Sequence, residues 1–231
     1  MRGVCCCLTV SGYELDHVMY TCPRPLEVVD AFERAGFKLR APAPQPNTGA
    51  SHAIAFFDNA YLEVAWPTSN APAFTDAPRQ HFGERAAWDQ TGWCPFGISF
   101  RSIEGGKTNP APIPSWGYAA PFLPAGAVPI PIGDNSEIPE EPLLITSLVS
   151  GRPDDYRQVP ALQHHLGLTE LTGLRLTLTS SVLSDTLQAA CDLLPIALVH
   201  GDAPHLELVF GDGRTGRRLT LGPGVPLTFS W

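Results

Sequence analysis

The chain has 231 residues, a formal net charge of -8 and a pI near 5.3, with 44% apolar and 16% charged residues. That composition excludes a disordered chain, and the acidity excludes a phosphate-backbone partner, which needs a basic face to displace condensed counterions. No apolar run approaches the roughly 18 to 20 residues of a membrane-crossing helix. A cytoplasmic chain with no membrane partner is therefore expected, and residues 1–14, which lack a full signal-peptide core, read as an N-terminal extension. The six cysteines (Cys5, Cys6, Cys7, Cys22, Cys94, Cys191) include no pair at the CxxC spacing of a zinc or redox site. Reduced thiols are the expectation, with acylation or soft-metal binding at Cys5 to Cys7 as minor alternatives.

Residues 15–21 (Leu-Asp-His-Val-Met-Tyr-Thr) are rich in β-formers and end at Pro23 and Pro25, which predicts a first strand. Leu26, Val29 and Phe32 then fall on one helical face between Pro25 and Gly36, start and stop residues for a helix of about three turns. Residues 37–40 predict a short strand, and the three prolines and Asn-Thr-Gly of 41–49 predict a loop. Residues 52–57 and 60–66 predict two more strands joined at Asp58-Asn59. The order over 15–67 is β, α, β, β, β.

Residues 68–94 read as irregular, with a short helix near 82–88, and 95–101 as a strand. From 105 to 142 prolines and glycines recur so often that no long element is expected; Trp116, Tyr118 and Phe122 suggest a lid or cavity wall, or packing against the sheet. A second β, α, β, β, β series follows over 142–231. In it Leu174, Leu176 and Leu178 alternate with polar residues, Ser184-Asp185 caps a helix, and 196–200, 205–210 and 217–221 read as strands, with a terminal strand at 226–231. The division expected is thus an extension at 1–14, a module at 15–67, a linker at 68–141 holding one strand, and a second module at 142–231.

Residues Leu15-Asp16-His17-Val18, the helix ending Ala35-Gly36-Phe37, and Tyr61-Leu62-Glu63-Val64 resemble the opening module of glyoxalase-like proteins, the vicinal oxygen chelate superfamily. The string Pro160 to Gly167 resembles a His-Pro-Asn-Gly stretch of a glyoxalase-like subgroup, with His165-Leu166 replacing Pro-Asn after His164. The resemblance implies an α+β fold of paired βαβββ modules forming a curved, largely antiparallel sheet around a cavity. It implies chemistry from isomerisation and lyase reactions to dioxygenation, or metal-free sequestration of drugs, and, by analogy, a homodimer. It puts ligands on the first and last strands of a module, here His17 and Glu63.

Alternation along the strands sets Leu15, His17 and Met19 on one face, and Tyr61, Glu63 and Ala65 on one face. A buried carboxylate needs a partner, and His17 is the obvious one. Imidazole and carboxylate suit zinc, iron, manganese or nickel, with His164 or His52 as third ligand; a hydrogen-bonded pair with no cofactor is the equal alternative. The second module offers only Gly173 at the position matching His17, and the middle strand only Phe96. Two functions remain open. One is a metal-dependent enzyme on a small oxygenated organic molecule, with His17 and Glu63 catalytic and His17, Glu63 and His164 holding the ion. The other is a metal-free binding protein whose cavity uses Trp66, Trp93, Trp116, Phe122 and His52. His205 and Glu207 share a strand face that solvent explains equally well. Gly211 to Gly216 matches GxGxxG by letter but lies between strands, where the glycines serve a turn, and no serine lies in a GxSxG elbow.

Overall fold

The computed structural model describes residues 12–68, 78–104, 111–149, 151–156, 163–213, 215–222 and 224–231. Cys5, Cys6 and Cys7 and most of the 160–167 string's first half lie outside them. The chain forms an α+β fold of two sheets. An eight-stranded sheet runs in the order β2-β3-β4-β1-β5-β8-β7-β6 and a five-stranded one in the order β10-β9-β11-β13-β12. In chain order the first module comprises β1 (Tyr13–Thr21), α1 (Pro25–Arg34), β2 (Arg40–Gln45), β3 (Ala50–Phe56) and β4 (Tyr61–Pro67).

The second half of that sheet is β5 (Phe96–Ser102), β6 (Ser115–Tyr118), β7 (Ile130–Gly133) and β8 (Leu143–Thr146). β4 runs parallel to β1, β8 runs parallel to β5, and β1 and β5 meet antiparallel at the centre. The strands β5 to β8 thus repeat the pairing of β1 to β4. This differs from the sequence expectation, which places the second module at 142–231 and a linker at 68–141. The reason is that β6 and β7 have four residues each, too short for a periodic signal, and Pro131 sits close to the sheet edge, where a missing N–H costs little. The same holds for β2, expected as a loop at 41–49. Pro42 and Pro44 are tolerated because β2 is an edge strand, and its pairing with β3 shifts register between Arg40 and Ala43.

The C-terminal part comprises β9 (Leu171–Leu178), a helix over Asp185–Leu193, β10 (Ile196–His200), β11 (His205–Phe210), β12 (Arg218–Thr220) and β13 (Leu227–Ser230). Ser184 caps the helix, its hydroxyl accepting from the Leu187 N–H. The central antiparallel pair β9/β11 is flanked by parallel partners β10 and β13. That is the pattern around β1/β5 with the outer hairpins reduced. One continuous core joins both sheets. Val18, Tyr20, Leu62, Phe96, Ile98 and Leu144 line the back of the large sheet, and Leu174, Leu176, Leu206, Leu208 and Phe229 face them from the small one. Phe32 and Phe37 from the α1 region stack edge-on against each other and contact Phe229 at 5.9 and 4.5 Å. Burying the back face in this way leaves the opposite face of the large sheet free to form a cavity. The three cysteines among the described residues are unpaired, and burial pushes the Cys22 thiol up to about 12 and the Cys94 and Cys191 thiols to about 11. They are inert at neutral pH.

Candidate functional site: an ion-pair floor in an apolar cavity

A cavity of about 300 Å³ opens on the free face of the large sheet. His17 and Met19 on β1, His52 on β3, Glu63 on β4 and Ser99 on β5 form its floor. Ile130, Ile132, Leu143 and Ile145 form an aliphatic wall, and Phe82, Tyr118, Phe122 and Leu123 lean over it. The segment carrying Phe122 and Leu123 connects β6 to β7 and is tied across the cavity mouth by Asn47, whose side-chain N–H donates to the Pro121 carbonyl at 3.3 Å.

The position of His17 depends on a bulge. The pairing of β1 with β5 shifts register between Leu15 and His17, so that Asp16 is the extra residue. One extra residue reverses the alternation. Leu15 consequently enters the core behind the sheet with Val18 and Tyr20, while His17 and Met19 face the cavity. The expectation that Leu15 shares the face of His17 is corrected by this bulge. On β4 the alternation is regular, and Tyr61, Glu63 and Ala65 all line the cavity.

The bulge also lets neighbouring side chains meet. His17 Nδ1 lies 2.6 Å from Asp16 Oδ2, and Arg101 Nη1 donates to Asp16 Oδ1 at 2.9 Å. Asp16 and Arg101 are both buried. Burial works to raise the Asp16 carboxyl, but hydrogen bonds and charge from His17 and Arg101 outweigh it and hold the group below its ordinary value. An ionised carboxylate only accepts, so Nδ1 of His17 carries the proton and Nε2 faces the cavity with its lone pair when the ring is neutral. His17 Nε2 then lies 4.0 Å from Glu63 Oε2, beyond hydrogen-bond length. Glu63 Oε1 accepts from His52 Nδ1 at 2.6 Å. Tyr61 stacks on the His17 ring, centroids 4.5 Å apart, and burial, reinforced by the Asp16 and Glu63 charges, pushes its hydroxyl well above the ordinary tyrosine value.

His17, Glu63, His52 and Phe122, all expected from the sequence, therefore converge on one cavity. His164 does not. It lines a separate, more open groove of about 900 Å³, where its Nδ1 accepts from the Lys38 N–H at 2.9 Å and its Nε2 donates to the Phe56 carbonyl at 2.8 Å. With both nitrogens engaged by backbone it pins the segment before β9 to the first module and cannot serve as a third metal ligand. Burial pulls its titration down from the ordinary imidazole value. Nor do the tryptophans line the cavity. Trp66 packs against the core on the opposite face of β4; Trp93 stacks on His81, centroids 4.2 Å apart; and Trp116 donates to Ser136 Oγ at 3.0 Å under the Arg79 guanidinium. His205 hydrogen-bonds Thr228, and Glu207 pairs with Arg175 and Arg218, a solvent-side ladder of the small sheet. The residues the sequence reading missed are Asp16, Arg101 and Ser99. Asp16 next to His17 was visible, but alternation assigns neighbours to opposite faces, and only the bulge brings them together.

Two imidazoles and a carboxylate are metal-ligand types, but they are not grouped around one point: His52 Nδ1 donates to Glu63 Oε1 and His17 Nε2 stands 4.0 Å from Glu63 Oε2. Across the central pair, Ser99 is the register partner of His17 and Ile145 pairs with Ser99, so the second half of the sheet contributes a hydroxyl and a hydrocarbon at the matching positions. Among the described residues no three His, Cys, Asp or Glu side chains are grouped to hold one ion.

Comparison with known proteins agrees with this architecture. Residues 15–121 match the family model described as a glyoxalase-like domain. A solved structure described as a hypothetical protein from Staphylococcus aureus superposes with a TM-score of 0.54 at 12% identity, covering 94% of this chain and 99% of that one, which is a likeness of fold. No curated protein matches the chain by sequence. No helix among the described residues is long and apolar enough to cross a membrane. Residues 15–121 thus form a domain similar to the glyoxalase-like domains of the vicinal oxygen chelate superfamily.

Proposed function

We propose that this protein binds a small, largely apolar organic molecule in the cavity of the large sheet, without a metal ion, with the His17–Glu63–His52 cluster contacting the molecule's polar end. The carrying observation is the contrast inside the cavity: a compact cluster of imidazoles and one carboxylate on the floor, against walls of Ile, Leu, Met and Phe. Pockets with mostly apolar linings and few convergent polar groups bind small organic ligands. The volume of about 300 Å³ suits roughly a dozen heavy atoms at the lower end of such pockets. The metal-dependent reading is the weaker one: of its two candidate third ligands, His164 has both nitrogens used by backbone groups, and His52 directs Nδ1 at Glu63 Oε1.

A catalytic form of the same reading draws on Asp16. A carboxylate that fixes the tautomer of a histidine and leaves its other nitrogen facing a ligand is the arrangement of a general base. His17 would accept a proton from the bound molecule, and Asp16, held by Arg101, would stabilise the imidazolium.

The test is titration of butylbenzene into methyl-labelled protein in the presence of EDTA, followed by NMR. The methyl resonances of Ile130, Ile132, Leu143 and Ile145 are expected to shift, and elemental analysis of protein purified without chelator is expected to find no stoichiometric zinc, iron, manganese or nickel. Unperturbed cavity methyls, or a tightly held ion lost on His17→Ala, would overturn the reading.

A further inference from the structure

The proton inventory of the cavity floor points to the chemistry of the ligand's head, an inference that rests on the cavity being the binding site. Arg101 is permanently protonated and holds Asp16 as an anion, with Nη1 to Oδ1 at 2.9 Å. Asp16 Oδ2 accepts a hydrogen bond from the His17 Nδ1–H, so Nε2 points into the cavity as an acceptor when the ring is neutral. Glu63 Oε1 accepts a hydrogen bond from the His52 Nδ1–H, leaving Oε2 as a second acceptor. With the ring neutral, these two acceptors face each other across 4.0 Å. Ser99, fully buried on the same floor, has a hydroxyl oxygen with no partner, and so does the buried Gln80 amide nitrogen at the rim; the Gln80 amide can present either its N–H or its carbonyl by a half-turn.

A pair of acceptors 4.0 Å apart is repulsive when empty and suits one donor atom bridging both. A tetrahedral centre about 2.8 Å from each would subtend about 90° between them, about 20° less than the angle between two N–H bonds of an ammonium group and within the bending that hydrogen bonds tolerate. Among the described residues lining the cavity none is Lys or Arg, while Glu63 is a carboxylate and Tyr61, Phe82, Tyr118 and Phe122 present aromatic rings. Negative charge and π faces both favour a cation, and a head that carried an anion would meet Glu63 without a compensating cation.

We propose that the cavity takes a compact primary amine in its ammonium form, its N–H groups donating to His17 Nε2 and Glu63 Oε2 and its apolar tail lying along Ile130, Ile132, Leu143 and Ile145. Ser99 Oγ supplies an acceptor for the remaining proton.

Three probes of matched shape test this: 4-phenylbutylamine, butylbenzene and 4-phenylbutyrate, titrated calorimetrically at pH 8 with EDTA present. At that pH an ordinary imidazole is neutral and the amine is charged. The amine is expected to bind about tenfold or more tighter than butylbenzene, as a charge-assisted hydrogen-bonded head allows, and the carboxylate weakest of the three. Glu63→Gln is expected to remove about tenfold of the amine's advantage while butylbenzene affinity stays within about twofold, a control that the cavity is still folded. His17→Asn serves as a second variant with the same expectation. Equal binding of amine and hydrocarbon, preference for the carboxylate, or an amine preference that survives both variants overturns the amine head and leaves the apolar cavity standing. Failure of all three probes to bind overturns the cavity reading as well.

Discussion

Arg101→Met removes the cation under the site and tests whether Asp16 is held as a buried anion. In the wild type the Arg101 side chain is 1% exposed and Asp16 7%, and Arg101 also donates to the Asn59 carbonyl at 2.5 Å. Asn59 in turn exchanges two hydrogen bonds with the Leu171 backbone, 2.7 and 2.8 Å, which links the two sheets. Methionine fills much of the volume but leaves Asp16 facing His17 alone and the Asn59 carbonyl without its donor. Breaking a buried pair on one side costs about 3–5 kcal/mol; the partly exposed Glu14 partner adds little. At about 2–4 °C per kcal/mol for a chain of this size, the midpoint falls by about 6–20 °C. The sign with pH follows from Asp16. Its folded-state value lies below the ordinary 3.8, so its contribution is complete above 3.8 and lost as pH falls through the lower folded value. The variant raises that folded value, so its deficit is largest near pH 7 and narrows towards pH 4 as Asp16 takes up a proton. Urea denaturation followed by tryptophan fluorescence at pH 7, 5.5 and 4 measures this. A loss below about 1 kcal/mol at pH 7, or a deficit independent of pH, refutes the buried-anion account.

His164→Ala should cost about 2–4 kcal/mol by leaving the Lys38 N–H and the Phe56 carbonyl unpaired, without changing butylbenzene affinity; a fold-neutral loss of ligand binding would return His164 to the site. Because burial lowers the titration of His164, the wild type keeps its full contribution above the ordinary 6.5 and loses it progressively as pH falls below, which denaturation of wild type and His164→Ala at pH 7.5 and 5.5 compares. Gly97→Val should shrink the cavity. A Cβ there would stand 2.9 Å from Met19 Cε and 3.2 Å from its Cβ, so Met19 must move into the space above it, at about 1–3 kcal/mol of overpacking and with weakened binding by calorimetry. Phe122→Ala should reduce apolar ligand affinity about tenfold or more by removing up to about 1.5–3 kcal/mol of burial, whereas Trp66→Phe should leave it within about twofold, since Trp66 lies behind the sheet.

Much of the first module is legible in the sequence because its signals are local. Pro25 and Gly36 bound the expected helix, although its buried face is Val28 and Phe32 rather than Leu26, Val29 and Phe32, Leu26 being 83% exposed, and Tyr61, Glu63 and Ala65 alternate on a regular strand. The pairing of β5 with β8 is less legible, because parallel partners are separated by connections whose strands have only four residues and whose prolines mimic a loop. In the site, His17 and Glu63 stand out as polar residues interrupting apolar strands. His164 stands out equally, yet its partners are backbone groups of Lys38 and Phe56, contributed by segments more than a hundred residues away, which no spacing encodes. Asp16 and Arg101 matter through a bulge, a register defect that composition and periodicity do not announce.

The core shared by the two sheets has a consequence for how this protein can be divided. The glyoxalase-like match ends at residue 121, before β7 and β8, and well before the strands carrying Leu176, Leu208 and Phe229. A fragment cut at that boundary would keep both halves of the His17–Glu63 pair but lose the cavity wall of Ile130, Ile132, Leu143 and Ile145. It would also bare the rings of Phe32, Phe37 and Phe57, which the small sheet seals. Such a fragment should precipitate on expression rather than bind anything. The inherited unit recognised by similarity is thus smaller than the unit that folds, and recombinant work on the cavity requires the chain through its final strand.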